Sequence, residues 1–280
     1  MNADDLGQDI PLSTQIRQDI PHSARMYDYF LGGKDHFAVD REAAERVLTV
    51  FPTMKTAVWA NRGFMQRATR ALAERGLSQW LDVGTGIPTS PNLHEVAQSV
   101  VPRARVVYAD NDPIVLAHSR ALMTSTPQGR TAYIHGDVRD PDTILHAPQL
   151  TRTLDLGQPV VLSLVALLHF VPDLDEARGI VDRLLKPLPT GSALVLSHAT
   201  AELDPHGACQ VQQIYNQVGT TLKLRPAAEF ATFFEGLELL EPGIVPAHRW
   251  RPDAEGDAHR LPAGATDADV SFYAGVGIKR

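Results

Sequence analysis

Short apolar runs that end in polar residues or glycine alternate with amphipathic stretches over most of the chain. Such runs are typical of strands buried on both faces of a sheet, and the amphipathic stretches are typical of the helices that cover them. The pattern predicts strands over residues 79–83, 105–109, 131–135, 160–165 and 193–197, with helices over residues 91–100, 114–123 and 174–185. This alternation predicts an α/β fold around a parallel sheet.

About three helices precede the first predicted strand. Apolar spacing predicts them over residues 23–32, 40–50 and 53–76, and Ser23, Asp40 and Thr53 are suitable starts. We therefore expect a helical cap or lid over residues 21–76 and a sheet domain over residues 77–280. Residues 1–20 carry four aspartates and few large apolar side chains, which predicts a flexible arm.

The C-terminal third is less regular. We predict helices around residues 211–218 and 226–234, and strands over residues 237–245 and 271–278, the first interrupted by Pro242-Gly243. The polar stretch between these strands, residues 247–268, is expected to be a long loop.

Composition and charge narrow the class of protein. The chain has 280 residues, of which 44% are hydrophobic and 21% charged, and these are ordinary globular values. Its net charge of −7 gives no general attraction to a phosphate backbone, so we do not expect a nucleic-acid partner. The apolar run at residues 160–168 is too short to span a bilayer, so we expect no membrane partner.

The single cysteine, Cys209, excludes an intrachain disulfide and a thiolate metal cluster. Together with an N-terminus that lacks the pattern of a signal peptide, this predicts a cytoplasmic protein. We expect Cys209 to be a small buried or half-buried side chain. The eleven histidines form no close pair on one helix, so no metal site is predicted.

A glycine turn follows the first predicted strand. The run Gly84-Thr85-Gly86 comes directly after residues 79–83 and precedes a helix, which is the plan of a nucleotide-binding crevice. A dinucleotide-binding turn has a third glycine where this chain has Thr89. That difference disfavours a nicotinamide-dependent oxidoreductase, although it does not remove this alternative.

Three acids, Asp82, Asp110 and Asp137, lie at the carboxyl ends of the first three predicted strands. Because ligands in open α/β sheets bind along that edge, these acids predict a site for a nucleoside. Asp110 has the spacing of an acid that accepts ribose hydroxyls, and Asp137 beside Val138 can accept an exocyclic amine next to a base. Asp82 suits a ligand with a positive end, which S-adenosylmethionine has.

These residues resemble a known family. Asp82-Val83-Gly84-Thr85-Gly86, Asp110, Gly136-Asp137-Val138 and residues 166–173 resemble the motif series of class I S-adenosylmethionine-dependent methyltransferases. Residues 24–35, Ala-Arg-Met-Tyr-Asp-Tyr-Phe-Leu-Gly-Gly-Lys-Asp, are similar to the N-terminal signature of a bacterial S-adenosyl methyltransferase subfamily, formerly a domain of unknown function. Residues 239–243 and 250–252 also resemble that subfamily.

The resemblance implies a Rossmann-like fold, with a seven-stranded, mostly parallel sheet whose last strand is antiparallel. It also implies S-adenosyl-L-methionine as cofactor. Asp82, Gly84 and Gly86 would meet its methionine end, Asp110 its ribose, and Asp137 with Val138 its adenine. The implied cofactor set also includes Thr85, Asn111, Gly136 and Ala166, with Asn111 near the ribose. Pro88 interrupts the family's glycine run, so the path of this loop is not implied.

Methyl transfer needs an aligned acceptor more than it needs a base. His169 follows the fourth predicted strand and is a candidate general base; the alternative is a histidine held by a backbone partner. Tyr27 and Tyr29 are further candidates, with ordinary helix packing as their alternative. His198 and Glu202 are expected to face the acceptor pocket.

We therefore predict a methyltransferase that acts on a small-molecule acceptor. A protein that binds S-adenosylmethionine without transferring its methyl group stays open, because the residues identify no unambiguous catalytic group. Neither the acceptor, the methylated atom nor the oligomeric state follows from the sequence.

Overall fold

The computed structural model describes residues 17–122, 124–252 and 261–280. The helices are α1 Ser23–Leu31, α2 Ala38–Val50, α3 Met54–Glu74, α4 Leu93–Val100, α5 Pro113–Leu122, α6 Pro141–Leu145, α7 Pro148–Thr153, α8 Leu174–Leu185, α9 Pro205–Gln217, α10 Ala227–Ala231 and α11 Asp267–Val270. The strands are β1 Gln79–Val83, β2 Arg105–Asp110, β3 Arg130–His135, β4 Val161–Val165, β5 Ala193–Ala199, β6 Leu237–Leu239, β7 Val245–Pro246 and β8 Phe272–Lys279. Residues 1–16 of the predicted arm and residues 253–260 of the predicted loop lie outside the described residues.

The strands form one sheet in the order β3-β2-β1-β4-β5-β8-β6. Strands β1 to β5 are parallel, and β8 runs antiparallel to both β5 and β6. The two-residue strand β7 also pairs with β8, and it is an addition to the seven strands that were predicted. The predicted α/β fold with an antiparallel last strand is confirmed.

The C-terminal third differs most from its prediction. The expected strand at residues 237–245 is divided into β6 and β7, because the segment around Pro242-Gly243 turns and Gly243 takes φ +83°. Helix α9 begins at Pro205, six residues before the predicted start. The side chain of Asp204 caps it by accepting the Gly207 N–H. In the expected loop, a 3-10 turn at Ala247–Arg249 and helix α11 are present.

Two cores lie on opposite faces of the sheet. Trp80 packs on the face covered by α1, α2 and α3, whereas Leu81 and Val83 pack on the face covered by α8. Because side chains alternate along a strand, Asp82 lies on the same face as Trp80. The N-terminal helices therefore cover the face on which Asp82 lies.

Thr53 precedes α3 as predicted, whereas the cap of α1 and the start of α2 differ from the prediction. His22 caps α1, because its Nδ1 accepts the Ala24 N–H, and Ser23 is already the first helical residue. Asp40 lies inside α2, where its carboxylate accepts the N–H groups of Phe37 and His22 and pairs with Arg25. Helix α3 packs on the sheet as well as on α1, so the division of the chain at residue 76 stays a prediction.

The prediction that Cys209 is buried is wrong. Ala208 and Val211 are buried on the inner side of α9. Cys209 lies on the outer side of this helix and is therefore exposed. Among the described residues, no helix is long and apolar enough to cross a membrane. No group of three potential metal ligands is found within the same residues.

Candidate active site

A cavity of about 410 Å³ lies at the carboxyl edge of the sheet. The turns after β1 to β5 form its floor, and residues of α1, α3 and α9 cover it. Twelve of the fifteen predicted site residues line it, and the exceptions are Tyr29, His198 and Glu202. These twelve are Tyr27, Asp82, Gly84, Thr85, Gly86, Asp110, Asn111, Gly136, Asp137, Val138, Ala166 and His169.

The turn after β1 brings main chain to the cavity wall. Gly84 has φ +74°, and a Cβ built there would lie 2.6 Å from Leu167 Cδ1, so no larger residue fits. Gly86 has φ +67° and would meet nothing within 4 Å, which leaves open space beside its main chain. Thr85 fixes the turn by donating from its hydroxyl to the Asp82 carbonyl at 3.2 Å.

Asp82 is a buried acid without a full counter-charge. Burial raises its pKa to about 6, although the positive charge of Arg62 on α3 acts in the opposite direction. The ionised form of Asp82 is therefore costly at this buried position and would gain from a cationic ligand group.

Asp110 holds the glycine turn against β2. One carboxylate oxygen accepts the Gly86 N–H at 2.9 Å and the other accepts the Asp112 N–H at 2.9 Å. Burial raises the pKa of Asp110, in spite of these two hydrogen bonds. A carboxylate has about four acceptor sites, so Asp110 keeps capacity for hydroxyl donors.

Asp137 and Asn111 form one polar corner after β2 and β3. Asn111 Nδ2 donates to Asp137 at 2.9 Å, and the Arg139 N–H donates to the other carboxylate oxygen at 2.9 Å. The pKa of Asp137 is lowered overall. Partial burial acts to raise it, but these hydrogen bonds and the positive charge of Arg139 outweigh the effect of burial. The Gly136 N–H donates to the Asp110 carbonyl at 3.1 Å and thereby joins this corner to the end of β2.

Ala166 is connected to the N-terminal helices by a chain of hydrogen bonds. Its N–H donates to Ser197 Oγ at 2.9 Å, and Ser197 donates in turn to Asn61 Oδ1 through a short contact. Asn61 Nδ2 donates to the Tyr27 hydroxyl at 3.0 Å, which donates to the Val58 carbonyl at 3.1 Å. Each hydroxyl in this chain both accepts and donates.

The chain has two consequences. It stabilises Ala166 in a left-handed conformation, φ +54°, which costs about 1–3 kcal/mol in a residue with a Cβ. The chain also commits the hydroxyl proton of Tyr27 to the Val58 carbonyl, and burial raises the pKa of this hydroxyl. Tyr27 is therefore placed to position Ala166 and not to act as a base.

His169 is buried at the centre of the cavity. The Ala199 N–H donates to its Nδ1 at 3.4 Å, so the neutral ring carries its proton on Nε2. Burial, followed by the nearby His198 and Arg225, lowers the pKa of His169 well below its usual value. This geometry favours a hydrogen-bond donor at Nε2, whereas a general base there would need the other tautomer.

The structure does not bring Tyr29, His198 or Glu202 to the cavity. Tyr29 lies on the outer side of α1, and its hydroxyl donates to Glu45 at 3.2 Å. His198 Nδ1 donates to the Ala199 carbonyl at 2.7 Å, and its Nε2 accepts from Arg225 at 2.8 Å. Glu202 caps α10 by accepting the Ala227 N–H at 2.6 Å.

Arg225 is a residue that sequence reasoning missed. It is buried, and its guanidinium donates to four carbonyl oxygens of the segment after β4, those of Leu168, Val171, Pro172 and Asp173. It thereby holds the segment that carries His169. Nothing local in the sequence marks this residue, because its partners lie about fifty residues away.

Arg62, Asn61 and Tyr215 were also missed, and all three line the cavity. Asn61 and Arg62 belong to α3. Polar residues along a helix face that is otherwise apolar were a usable signal of a functional site. Tyr215 belongs to α9, and its apolar spacing indicates only a core position.

The N-terminal signature mainly builds structure. The buried Asp28 carboxylate accepts the Asp35 N–H at 3.0 Å and contacts His36 at 3.3 Å. A Cβ built at Gly33 would lie 1.9 Å from Asp28 Oδ1, so only glycine fits. The signature therefore specifies the turn that leads from α1 to α2.

The sheet order is that of the Rossmann-like class I methyltransferase fold. Magnesium protoporphyrin IX methyltransferase from Synechocystis, solved with bound SAH, shares this fold at 12% identity and a TM-score of 0.50. That match covers 91% of this chain and 93% of the other.

Residues 10–280 match the S-adenosyl methyltransferase family, and the chain belongs to that family. A DUF574 family protein from Streptomyces avermitilis is 51% identical, with a TM-score of 0.90 over 94% of this chain and 99% of that chain. A candidate methyltransferase from Thermobifida fusca is 36% identical, with a TM-score of 0.84 over 97% and 99%. No curated protein matches the sequence.

The protein is therefore an S-adenosylmethionine-dependent methyltransferase, as the resemblance implied. S-adenosyl-L-methionine is its cofactor, and the nicotinamide alternative is not supported.

Proposed function

We propose that this methyltransferase acts on a small molecule bound in the same cavity as its cofactor. One observation carries the proposal: the cavity extends past the strand-end acids to a second half, bounded by α9 and the ends of β5 and β8. An enclosed space next to a cofactor site is typical of enzymes with small substrates.

The residues present fit S-adenosylmethionine, and the site assignment is part of the proposal. Asp82 would hold the ammonium group and Arg62 the carboxylate, beside the open main chain of Gly84, Thr85 and Gly86. Asp110 would accept the ribose hydroxyls. Asn111, Gly136, Asp137 and Val138 would surround the adenine, and Ala166 would lie near the reacting end. The raised pKa of the buried Asp82 supports this fit, because a cationic partner relieves the cost of that burial.

The cofactor supplies a methyl group already activated on a sulfonium, so the protein has mainly to align the acceptor and exclude water. Ser197, Asn61 and Tyr27 hold Ala166, and Arg225 holds the segment that carries His169. The Nε2–H of His169 would donate to the acceptor and orient it. The general-base role predicted for His169 is not needed for this chemistry, and neither is a catalytic role for Tyr27.

The chain organisation is also a proposal. Residues 21–76 would form the cap, since Tyr27 of α1 and Arg62 of α3 reach the cavity from this segment. A cytoplasmic location rests only on the lone Cys209 and the N-terminal composition.

Calorimetry with S-adenosylhomocysteine tests the function and the site together. We expect one binding site per chain, and an Asp110→Asn variant that loses about 1.5–3 kcal/mol of binding free energy, the range for a charge-assisted hydrogen bond. Asp142→Asn is the matched control, because Asp142 pairs with Arg183 on the surface. Equal affinities of the two variants would contradict the assignment of Asp110, and absence of binding at millimolar ligand would contradict the function.

Transfer of a labelled methyl group from the cofactor to a metabolite extract tests the acceptor class. We expect label in molecules that pass a small-pore filter. Label found only in macromolecules would overturn the proposal of a small acceptor.

A further inference from the structure

The charges that line the cavity are confined to one half of it. Asp82 and Asp110 lie at the carboxyl ends of β1 and β2, Asp137 follows β3, and Arg62 and Arg139 accompany them. Burial raises the pKa of Asp82 and the positive charge of Arg62 opposes that rise, whereas Arg139 pairs with Asp137 at 3.4 Å. This half, which we call the cofactor half, therefore contains both signs of charge.

The other half, which we call the acceptor half, is formed by the carboxyl ends of β4 and β5, the start of β8, α9, residues 219–224, and Phe51 with the first turns of α3. Among the described residues that line it, there is no aspartate, glutamate, lysine or arginine. Its walls are mainly apolar, with Phe51, Met54, Val58, Val211, Leu222 and Leu224 among them.

Aromatic rings form a continuous band across the acceptor half. The ring of His169 lies 4.3 Å from that of Phe170 and 6.0 Å from that of Phe272, in edge-to-face geometry. Phe170 in turn lies 6.1 Å from Tyr215. Such a band binds flat apolar groups by packing against their edges and faces.

An ionised acceptor would find no counter-charge in this half. Burying a charge without a partner is far more costly than burying a neutral polar group that forms a hydrogen bond. His169 does not supply a positive charge, because its pKa is lowered by burial and by Arg225.

The Tyr215 hydroxyl is the polar group best placed to orient a neutral ligand. It makes no hydrogen bond within the described residues, whereas the neighbouring Tyr27 hydroxyl is occupied by Asn61 and Val58. Tyr215 is nonetheless buried and lines the cavity, so a ligand atom is the partner its hydroxyl lacks.

We propose that the methyl acceptor is an uncharged, mainly apolar aromatic molecule that packs against the Phe170–Tyr215 band and forms a hydrogen bond with the Tyr215 hydroxyl. This inference rests on the proposed function, because it assigns the acceptor half to the substrate.

Binding of three related probes to the protein saturated with S-adenosylhomocysteine tests the charge rule. The probes are 2-naphthol, 2-naphthoate and 2-naphthylmethylammonium, which are neutral, anionic and cationic at pH 7.5. We expect 2-naphthol to bind, and both ions to bind at least about tenfold more weakly. Tighter or equal binding of either ion, or no binding of 2-naphthol at its solubility limit, would overturn the inference.

Tyr215→Phe tests the hydrogen bond. It should weaken 2-naphthol binding about fivefold, the effect of one neutral hydrogen bond, and leave naphthalene binding unchanged. Tyr29→Phe makes the same chemical change outside the cavity and should alter neither. An unchanged affinity of Tyr215→Phe for 2-naphthol would refute the role of Tyr215.

Binding of S-adenosylhomocysteine separates this inference from the proposed function. If the wild-type protein fails to bind it, the proposed function fails and the inference fails with it. If S-adenosylhomocysteine binds while the charge preference is reversed, only the inference fails.

Discussion

The two halves of the cavity are built in different ways. The cofactor half consists of short turns, in which an acid and its backbone partners lie within a few residues of a strand end, as Asp137 and the Arg139 N–H do. The acceptor half is assembled from segments far apart in the chain, such as Phe51, Val211 and Phe272. The first kind of site is therefore visible in a sequence, whereas the second exists only after folding.

The halves also differ in how their polar groups are satisfied. Asp82 and Asp110 are buried acids whose pKa values are raised, so the cofactor half is under electrostatic cost when no ligand is bound. Behind the acceptor half, polar groups form a closed hydrogen-bond chain from Ala166 to Val58, whereas the Tyr215 hydroxyl that lines this half has no partner among the described residues. We infer that the cofactor half recognises its ligand mainly by charge and that the acceptor half recognises its ligand mainly by shape.

The largest effect is expected at Arg225. Arg225→Met should lower the free energy of unfolding by about 3 kcal/mol or more, because it leaves several buried carbonyls without donors. Binding of 2-naphthol should be lost, since the segment carrying His169 is no longer held, while S-adenosylhomocysteine should still bind. Urea unfolding and calorimetry measure these effects.

Arg178→Met is the control for Arg225, since Arg178 forms an exposed pair with Glu235 and its loss should cost at most about 1 kcal/mol. If Arg225→Met impairs both ligands equally in protein that is still folded, the two halves are not separable.

Asp82→Asn should have opposite effects on stability and binding. The pKa of Asp82 is raised from 3.8 to about 6, so the carboxylate costs stability as the pH rises between these values. Above about pH 6, the ligand-free variant should be more stable than the wild type by up to about 3 kcal/mol, and below about pH 4 the two should converge. S-adenosylhomocysteine should bind more weakly to the variant.

Urea unfolding at pH 4 and pH 7.5 measures this change for Asp82→Asn, with Asp142→Asn as the exposed control. A variant that is less stable than the wild type at pH 7.5 would show that Asp82 is satisfied without a ligand.

Tyr27→Phe should have the smallest effect. It removes the hydroxyl between Asn61 and Val58 and should cost about 1 kcal/mol of stability. The more specific result is faster hydrogen exchange at the Ala166 amide, because the chain that holds Ser197 is broken at its far end. Tyr29→Phe is the control. If the Ala166 amide exchanges at the same rate in both variants, the hydrogen-bond chain does not position Ala166.

The sequence predicted most of the framework. The first five strands were placed to within two residues at either end, because buried parallel strands are short, continuous apolar runs. It also brought Asp82, Asp110 and Asp137 to one edge, since parallel strands end there together. The prediction for Cys209 was wrong, and Tyr29, His198 and Glu202 do not line the cavity, because packing decides which way these side chains face.

The residues that the sequence did not predict have distant partners. Asn61 accepts a hydrogen bond from Ser197, which lies 136 residues away in the sequence. Arg225 donates to the carbonyl of Leu168, which lies 57 residues away. Tyr29 and Tyr27 are two residues apart on α1, yet only Tyr27 reaches the cavity, because successive helical residues face different directions.

By itself, the sequence of this protein determined the family, the sheet and the three acids of the cofactor half, because these depend on local periodicity and on residues next to strand ends. The tertiary structure decided which side chains enclose the acceptor half, the tautomer of His169 and the role of Tyr27. Those features depend on contacts between segments that meet only when α1, α3 and α9 pack over the sheet, so no local pattern records them.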